Sequence, residues 1–184
     1  MFAIYTYGNT VLRKKAEEIS KDYKDLDSLI ENMYNTMYSS EGVGLAAPQI
    51  GKSIRLFIVD GSPMSDDDES LKDFKKVFIN PQIIEESGDF WTVEEGCLSV
   101  PGIREEVKRK SKIRIQYFDQ NFNYFDEVYD GLKARIIQHE YDHLEGILFI
   151  DKINPLRKKM IRSKLNNILK GKVDVKYKVK FAIK

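Results

Sequence analysis

The two histidines of this chain, His139 and His143, lie four residues apart with Glu140 between them. Residues at this spacing share one face of a helix, where two imidazoles can bind a single divalent metal. The glutamate beside them can take the proton of a metal-bound water. Leu132 and Ile136 continue the same face with the repeat of an amphipathic helix. The pattern therefore predicts a helical metal site; the alternative is a pair of core histidines beside a solvent-exposed glutamate.

Cys97 is the only cysteine and therefore the only thiol that can complete such a site. It follows Gly96, where another backbone can approach closely. A thiolate would complete a Cys-His-His set and leave the fourth tetrahedral position for water. A lone cysteine is more often a small buried apolar residue, and this alternative stays open at this point.

A stretch of small residues between Gly42 and Gly51 is a second candidate segment. Gly44 and its neighbours leave little side-chain bulk, so that substrate or backbone can approach closely. The stretch lacks the third glycine of a dinucleotide site and the Gly-Lys-Ser of a P-loop, which excludes nucleotide binding. Gln49 lies in this stretch, and its amide is a candidate donor to a developing oxyanion. Its alternative is an ordinary surface glutamine.

The elements that position these residues follow from hydrophobic periodicity. An acidic stretch at residues 61–76 lacks the spacing of a calcium loop and is interpreted as an exposed insertion. Helices are predicted at 25–38, from 131 through the two histidines, and at 155–170; strands are predicted at 54–59, 77–84, 113–118, 122–129, 147–150 and 173–184.

The length predicts one domain over residues 1–184, which the candidate site would make a single catalytic domain. Hydrophobic residues make up 42% and charged residues 32%, a balance typical of soluble globular proteins. No run approaches the roughly 18 apolar residues of a membrane span, and we find no secretory signal, which predicts no membrane partner. The single cysteine excludes an internal disulfide. These features predict a cytoplasmic protein.

The C-terminal part of the chain is strongly basic. Residues 152–184 hold 12 basic and one acidic side chain, whereas the rest holds 18 basic and 28 acidic ones. Such a tail indicates contact with a polyanion such as nucleic acid. The alternative is that the lysines only keep a surface helix and an edge strand soluble.

Three ordered segments, at residues 42–49, 95–99 and 138–143, resemble the signature motifs of the peptide deformylase family. The resemblance extends to about Asp151 and leaves the subclass open. It implies an α+β fold in which antiparallel and mixed sheets wrap around the helix bearing the two histidines; the pattern adds a C-terminal helix and strand. It also implies an enzyme that removes the formyl group from N-formylmethionyl nascent peptides and releases formate, with no DNA partner.

The resemblance assigns a role to each candidate residue. It implies that Cys97, His139 and His143 hold the metal and that Glu140 moves the proton. It implies that Gln49 and the backbone N–H of Leu98 hold the oxyanion. The expected substrate pocket is formed by Val43, Gly44, Leu132, Arg135 and Ile136. Fe²⁺ is the expected physiological metal, with Zn²⁺ or Ni²⁺ able to substitute, and a thiolate beside iron predicts oxygen-sensitive activity.

Two other functions are compatible with parts of the sequence. Zinc endopeptidases also use His-Glu-x-x-His, but with a downstream histidine or glutamate as third ligand, and this chain has no third histidine. A ribosome- or RNA-binding module based on the basic tail would instead predict that Glu140→Ala has no effect on function.

Overall fold

The protein is α+β in a computed structural model that describes residues 1–182. The α-helices in this range are α1 (Leu26–Ser39), α2 (Gly131–Leu144), α3 (Pro155–Met160) and α4 (Arg162–Leu169). The strands are β1 (Ile4–Tyr5), β2 (Gly44–Ala46), β3 (Leu56–Asp60), β4 (Lys75–Gly96), β5 (Arg104–Phe118), β6 (Tyr124–Asp130) and β7 (Val179–Lys180). The predicted fold class is confirmed.

The strands form two sheets, and the larger one packs against the helix that carries the histidines. Strands β2 to β6 form an antiparallel sheet in chain order, with the long β4–β5 hairpin at its centre. Strands β1 and β7 pair in parallel and join the N-terminal and C-terminal segments. Helix α2 packs against β2, β3, β5 and β6, so its buried face is held from several sides.

The core explains why these elements form. Strand β3 is buried at all five positions, as expected for a central strand in a run of apolar residues. Helix α2 ends where Gly146 adopts a φ of +72°, a conformation that glycine adopts without strain. A Cβ at Gly146 would lie 2.7 Å from the carbonyl oxygen of Arg13, so this turn also needs the missing side chain.

The acidic insertion has a buried side that its composition did not indicate. Leu71 and Phe74 are buried in the core, and Met64 packs against the same cluster. Asp66 and its acidic neighbours supply the exposed side, as predicted. No helix within residues 1–182 is long and apolar enough to cross a membrane.

Three predicted elements need correction. Residues 147–150 were predicted as a strand but lead into a 3₁₀ turn, Phe149–Asp151, whose apolar residues fill the core. The predicted helix 155–170 is interrupted at Ile161, which separates α3 from α4. The predicted strand 173–184 forms a ladder only at β7, because β1 offers two residues for pairing; residues 183 and 184 lie outside the described range.

Candidate active site

Helix α2 and the end of β4 bring the three predicted metal ligands together. The candidate donor atoms of Cys97, His139 and His143 all lie within 4.8 Å of one another. The Sγ atom of Cys97 is 3.3 Å from Nε2 of His143. Metal–sulfur and metal–nitrogen bonds of about 2.3 and 2.1 Å at a tetrahedral angle place donors roughly 3.5 Å apart. The donor set therefore fits one divalent metal ion of the kind that accepts both sulfur and nitrogen.

The ring of His139 is oriented by Glu95, a residue to which the sequence assigned no role. The Nδ1 atom of His139 lies 2.9 Å from Oε2 of Glu95 and donates its proton to that carboxylate. This leaves Nε2 of His139 as the nitrogen for a metal. Metal-binding histidines commonly donate their second ring nitrogen to a carboxylate in this way.

The Glu95 carboxylate is in turn held by two buried arginines. Arg109 makes two hydrogen bonds to it, of 2.7 and 2.9 Å, and Arg135 makes a third of 2.9 Å. Burial alone would raise the pKa of Glu95, but Arg109 and His139 lower it far below the usual range. Glu95 is therefore a carboxylate near neutral pH and can accept the proton of His139.

This ion-pair network continues to the start of the basic C-terminal segment. Arg109 also donates to Asp142 at 2.6 Å, and Asp142 pairs with Lys152 at 2.9 Å. Asp142 lies within the histidine motif, between Glu140 and His143, and its carboxylate binds these two cations. The negative charge of both buried carboxylates, Glu95 and Asp142, is balanced by cations within hydrogen-bond distance.

Unlike Glu95 and Asp142, Glu140 has no cation bound to it among residues 1–182. Its Oε2 atom is buried and has no hydrogen-bond partner within residues 1–182. Burial raises the pKa of Glu140 to about 7, against the opposing charge of His139. A carboxyl group with a pKa near 7 both accepts and releases protons readily at neutral pH.

Strand β2 approaches Glu140 closely at Gly44. A Cβ added to Gly44 would lie 2.5 Å from Oε1 and 2.8 Å from Cδ of Glu140. Only glycine therefore leaves room for this carboxylate, which gives a physical reason for the glycine in the small-residue stretch.

Gln49 is fully buried and held by hydrogen bonds at both ends of its amide, unlike an ordinary surface glutamine. Its Oε1 accepts from the N–H of Ala46 at 2.8 Å, and its Nε2 donates to Ser99 Oγ at 3.2 Å. The same Nε2 lies 3.5 Å from Sγ of Cys97. The amide donor therefore lies beside Cys97, one of the predicted metal ligands.

The predicted donor Leu98 lies in the turn that follows Cys97. The N–H of Val100 donates to the carbonyl oxygen of Cys97 at 2.9 Å and closes this turn. The N–H of Leu98 has no acceptor among residues 1–182. It is thus available to a ligand in the cavity.

A cavity of about 660 Å³ opens onto these groups. All five predicted pocket residues line it: Val43, Gly44, Leu132, Arg135 and Ile136. The guanidinium of Arg135 is nevertheless engaged with Glu95 and with the carbonyl oxygens of Trp91 and Val107.

Several further residues of the cavity wall were not predicted, and two of them come from distant segments of the chain. Met64 reaches it from the acidic insertion, and Tyr177 reaches it from the C-terminal segment. Burial, and then the charge of Cys97, raises the pKa of Tyr177 to about 12, so its hydroxyl remains a donor. Neither residue lies in a motif. Glu95 could have been found, because it stands two residues before Cys97 in the same motif.

Comparison with known proteins is consistent with this geometry. The model of the polypeptide deformylase family matches residues 1–159. A peptide deformylase of Christiangramia forsetii is 55% identical, over 97% of this chain and 94% of its own length. Among solved structures, a peptide deformylase of Plasmodium falciparum is similar with a TM-score of 0.83 and 38% identity, over 91% of this chain and 95% of that one. A peptide deformylase of Thermotoga maritima is similar with a TM-score of 0.76 and 41% identity, over 84% of this chain and 99% of that one.

Proposed function

The chain belongs to the polypeptide deformylase family, whose members are metal-dependent hydrolases that remove the N-formyl group of nascent peptides, and we propose a role for each residue of its site. Cys97, His139 and His143 are the proposed metal ligands. Glu140 is the proposed general base and acid. The observation that carries this assignment is the position of the Glu140 carboxylate, buried and without a partner, directly beside a compact Cys-His-His cluster.

A divalent metal held by these ligands would act as a Lewis acid that makes water more acidic and polarises the formyl carbonyl. The residues of the chain supply the remaining steps. Glu140 takes a proton from the attacking water and later delivers it to the leaving amine, for which a pKa near neutrality is suited. Glu95 keeps His139 in the tautomer that presents Nε2.

The charge that develops on the formyl oxygen has two proposed protein donors. These are the side-chain amide of Gln49 and the backbone N–H of Leu98. Both belong to groups fixed before the substrate arrives, since Gln49 is held by Ala46 and Ser99. Donors fixed in advance stabilise a developing charge without having to reorganise during the reaction.

The methionine side chain of the substrate is proposed to lie among Val43, Leu132 and Ile136. These apolar residues line the cavity and pack together in one hydrophobic cluster. Gly44 would allow the substrate backbone to approach β2. Arg135 is proposed to support this wall indirectly, because its guanidinium binds Glu95.

The decisive experiment measures formate release from a formyl-Met-Ala-Ser peptide by protein purified without oxygen. We expect Glu140→Gln to lower kcat by about 100-fold or more while the bound metal is retained. Glu106→Gln, a change at an exposed glutamate, is the matched control and should match the wild type. A wild type that releases no formate with Fe²⁺, Ni²⁺ or Zn²⁺ would contradict the proposed site, as would a fully active Glu140→Gln variant.

We propose Fe²⁺ as the physiological metal, with Zn²⁺ or Ni²⁺ able to substitute. The mixed thiolate and imidazole donors suit all three ions. Oxidation of Cys97 would then make the activity sensitive to oxygen, and iron-loaded enzyme that is unchanged after long aerobic incubation would contradict this. We place the enzyme in the cytoplasm as one catalytic unit, since nascent N-formylmethionyl peptides are its proposed substrates and a bacterial peptide deformylase is 55% identical to it.

The relatives give no support to the alternatives of a zinc endopeptidase or a non-catalytic RNA-binding module. Ribosome contact by the basic segment 152–184 remains a proposal for the enzyme itself. Its support is the excess of exposed basic residues there. Binding to ribosomes should weaken with salt, with a log–log slope of roughly −0.7 to −0.9 per neutralised phosphate.

Two sets of three exposed lysines allow a matched test of ribosome contact. Changing the three lysines of the tail to glutamine should weaken ribosome binding and reduce its salt slope. The same change at three exposed lysines outside the tail serves as the control. Binding that is flat across salt, or equal in both triple variants, would contradict the proposal. The tail positions are Lys159, Lys164 and Lys176, and the control positions are Lys21, Lys24 and Lys72.

A further inference from the structure

Tyr177 belongs to the C-terminal segment, beyond the residues that the family model matches, yet it forms part of the active-site cavity. Its hydroxyl donates to the carbonyl oxygen of Leu98 at 2.8 Å. Its ring packs in the same hydrophobic cluster as the side chain of Leu98. The contact spans 79 positions of sequence, so the C-terminal segment reaches directly to the residue after Cys97.

The backbone around Tyr177 is fixed by the parallel pairing of β1 and β7. The carbonyl oxygen of Lys178 accepts from the N–H of Ile4 at 2.8 Å. That of Lys180 accepts from the N–H of Thr6 at 3.1 Å and from the side-chain amide of Asn9 at 2.9 Å. The hydroxyl of Tyr177 is therefore presented from an anchored segment.

The turn from Cys97 to Val100 is held from both chain ends. The N–H of Tyr7 donates to the carbonyl oxygen of Ser99 at 2.7 Å, next to the carbonyl that Tyr177 holds. Tyr7 follows β1 by two residues and Tyr177 precedes β7 by two, and these strands are paired with each other. Two successive carbonyls of the turn are thus bound by residues that flank one small sheet, which restricts rotation of the peptide planes between them.

We propose that Tyr177 is a positioning residue for deformylation. By holding the carbonyl of Leu98, its hydroxyl fixes the turn so that the Cys97 thiolate and the Leu98 N–H both face the cavity. The proposal rests on the function proposed above, in which the Leu98 N–H binds the oxyanion. A donor that must be aligned at each turnover stabilises the transition state less than one already in place.

The test compares Tyr177→Phe, which removes only the hydroxyl, with Tyr124→Phe, which does the same at an exposed tyrosine of β6. Both variants are loaded with Zn²⁺, and kcat, KM, metal content and amide hydrogen exchange are measured. For Tyr177→Phe we expect kcat to fall about three- to tenfold, with KM within about twofold and the metal retained. Exchange of the Val100 amide, which closes the turn, should rise about tenfold. Tyr124→Phe should match the wild type in every measurement.

Hydrogen exchange separates this inference from the proposed function. A wild type that releases no formate would overturn the proposed function, whereas Val100 exchange still reports on the turn. Unchanged Val100 exchange in Tyr177→Phe would overturn the inference whatever the activity. The inference would also be overturned if Tyr177→Phe lowered the melting temperature but left kcat unchanged, or if it raised KM alone.

Discussion

The Nδ1 atom of His139 lies 2.9 Å from Oε2 of Glu95, and both groups belong to elements that meet only in the folded chain. This contact orients one proposed metal ligand from the end of the strand that directly precedes another, Cys97. Arg109 binds the same carboxylate and connects it to Asp142 on α2. The ligands are therefore held by a network of buried charges as well as by the helix.

Glu95→Gln should weaken metal binding by about 10- to 100-fold, because the neutral amide is a poorer acceptor for the His139 proton and loses its ion pair with Arg109. Competition of the Zn²⁺-loaded protein with a chelator measures this. Since the chain has two histidines, imidazole NMR should also show the loss of the His139 Nδ1–H signal. Glu94→Gln changes the neighbouring exposed residue, which pairs with Arg104, and should bind metal like the wild type. Equal affinities in the two variants would contradict a positioning role for Glu95.

Gly44→Ala should lower kcat by about 100-fold without removing the metal, because the new Cβ would occupy the place of the Glu140 carboxylate. Formate release and metal content measure the two effects separately. Gly42→Ala is the control in the same stretch, since its Cβ would lie 3.0 Å from the flexible end of the Leu98 side chain, which can move. A Gly44→Ala enzyme as active as Gly42→Ala would show that Glu140 has more room than the structure indicates.

Met64→Ala should raise KM for formyl-Met peptides by about three- to tenfold, because the acidic insertion would no longer close its side of the cavity. For formyl-Phe peptides kcat/KM should fall less, since a wider pocket accepts a larger side chain. The measurement is the ratio of the kcat/KM values for formyl-Met and formyl-Phe peptides. Asp66→Asn lies in the exposed part of the same insertion and should leave the ratio unchanged. An unchanged ratio in Met64→Ala would exclude Met64 from the substrate wall.

The candidate metal ligands could be picked out from the sequence because their signals are local or rare. His139 and His143 lie within one helical turn, and Cys97 is the only thiol. The groups that hold these residues gave no such signal. Arg109 meets Glu95 across the hairpin, and Tyr177 meets Leu98 over a still longer separation. Such contacts depend on strand register and on the meeting of the chain ends, which local patterns do not specify.

Two wrong predictions have a common physical origin. In the run 147–150, the apolar residues Leu148, Phe149 and Ile150 are all buried in the core. A short apolar run is compatible with any buried backbone conformation, so it did not distinguish a strand from a turn. In the tail the predicted alternation of half-buried and exposed residues holds from Val173 to Lys180. Alternation reports which side chains face the protein, but a ladder also requires a partner strand of matching length.

The contribution of Asp151 to the free energy of unfolding should decrease as the pH is lowered. Burial alone would raise its pKa, but Arg13, the N–H of Leu148 and Lys158 outweigh this and hold the pKa of Asp151 below its usual value. A group with a lowered pKa in the folded state stabilises the fold above its unfolded pKa of about 3.9, and this stabilisation is lost as pH falls through the folded value. Asp151→Asn should therefore be less stable than the wild type at pH 7, and the difference should shrink between about pH 5 and pH 3. Urea unfolding across this range measures it, with Asp66→Asn as the exposed control, and a difference that is constant or widens in acid would contradict the assignment.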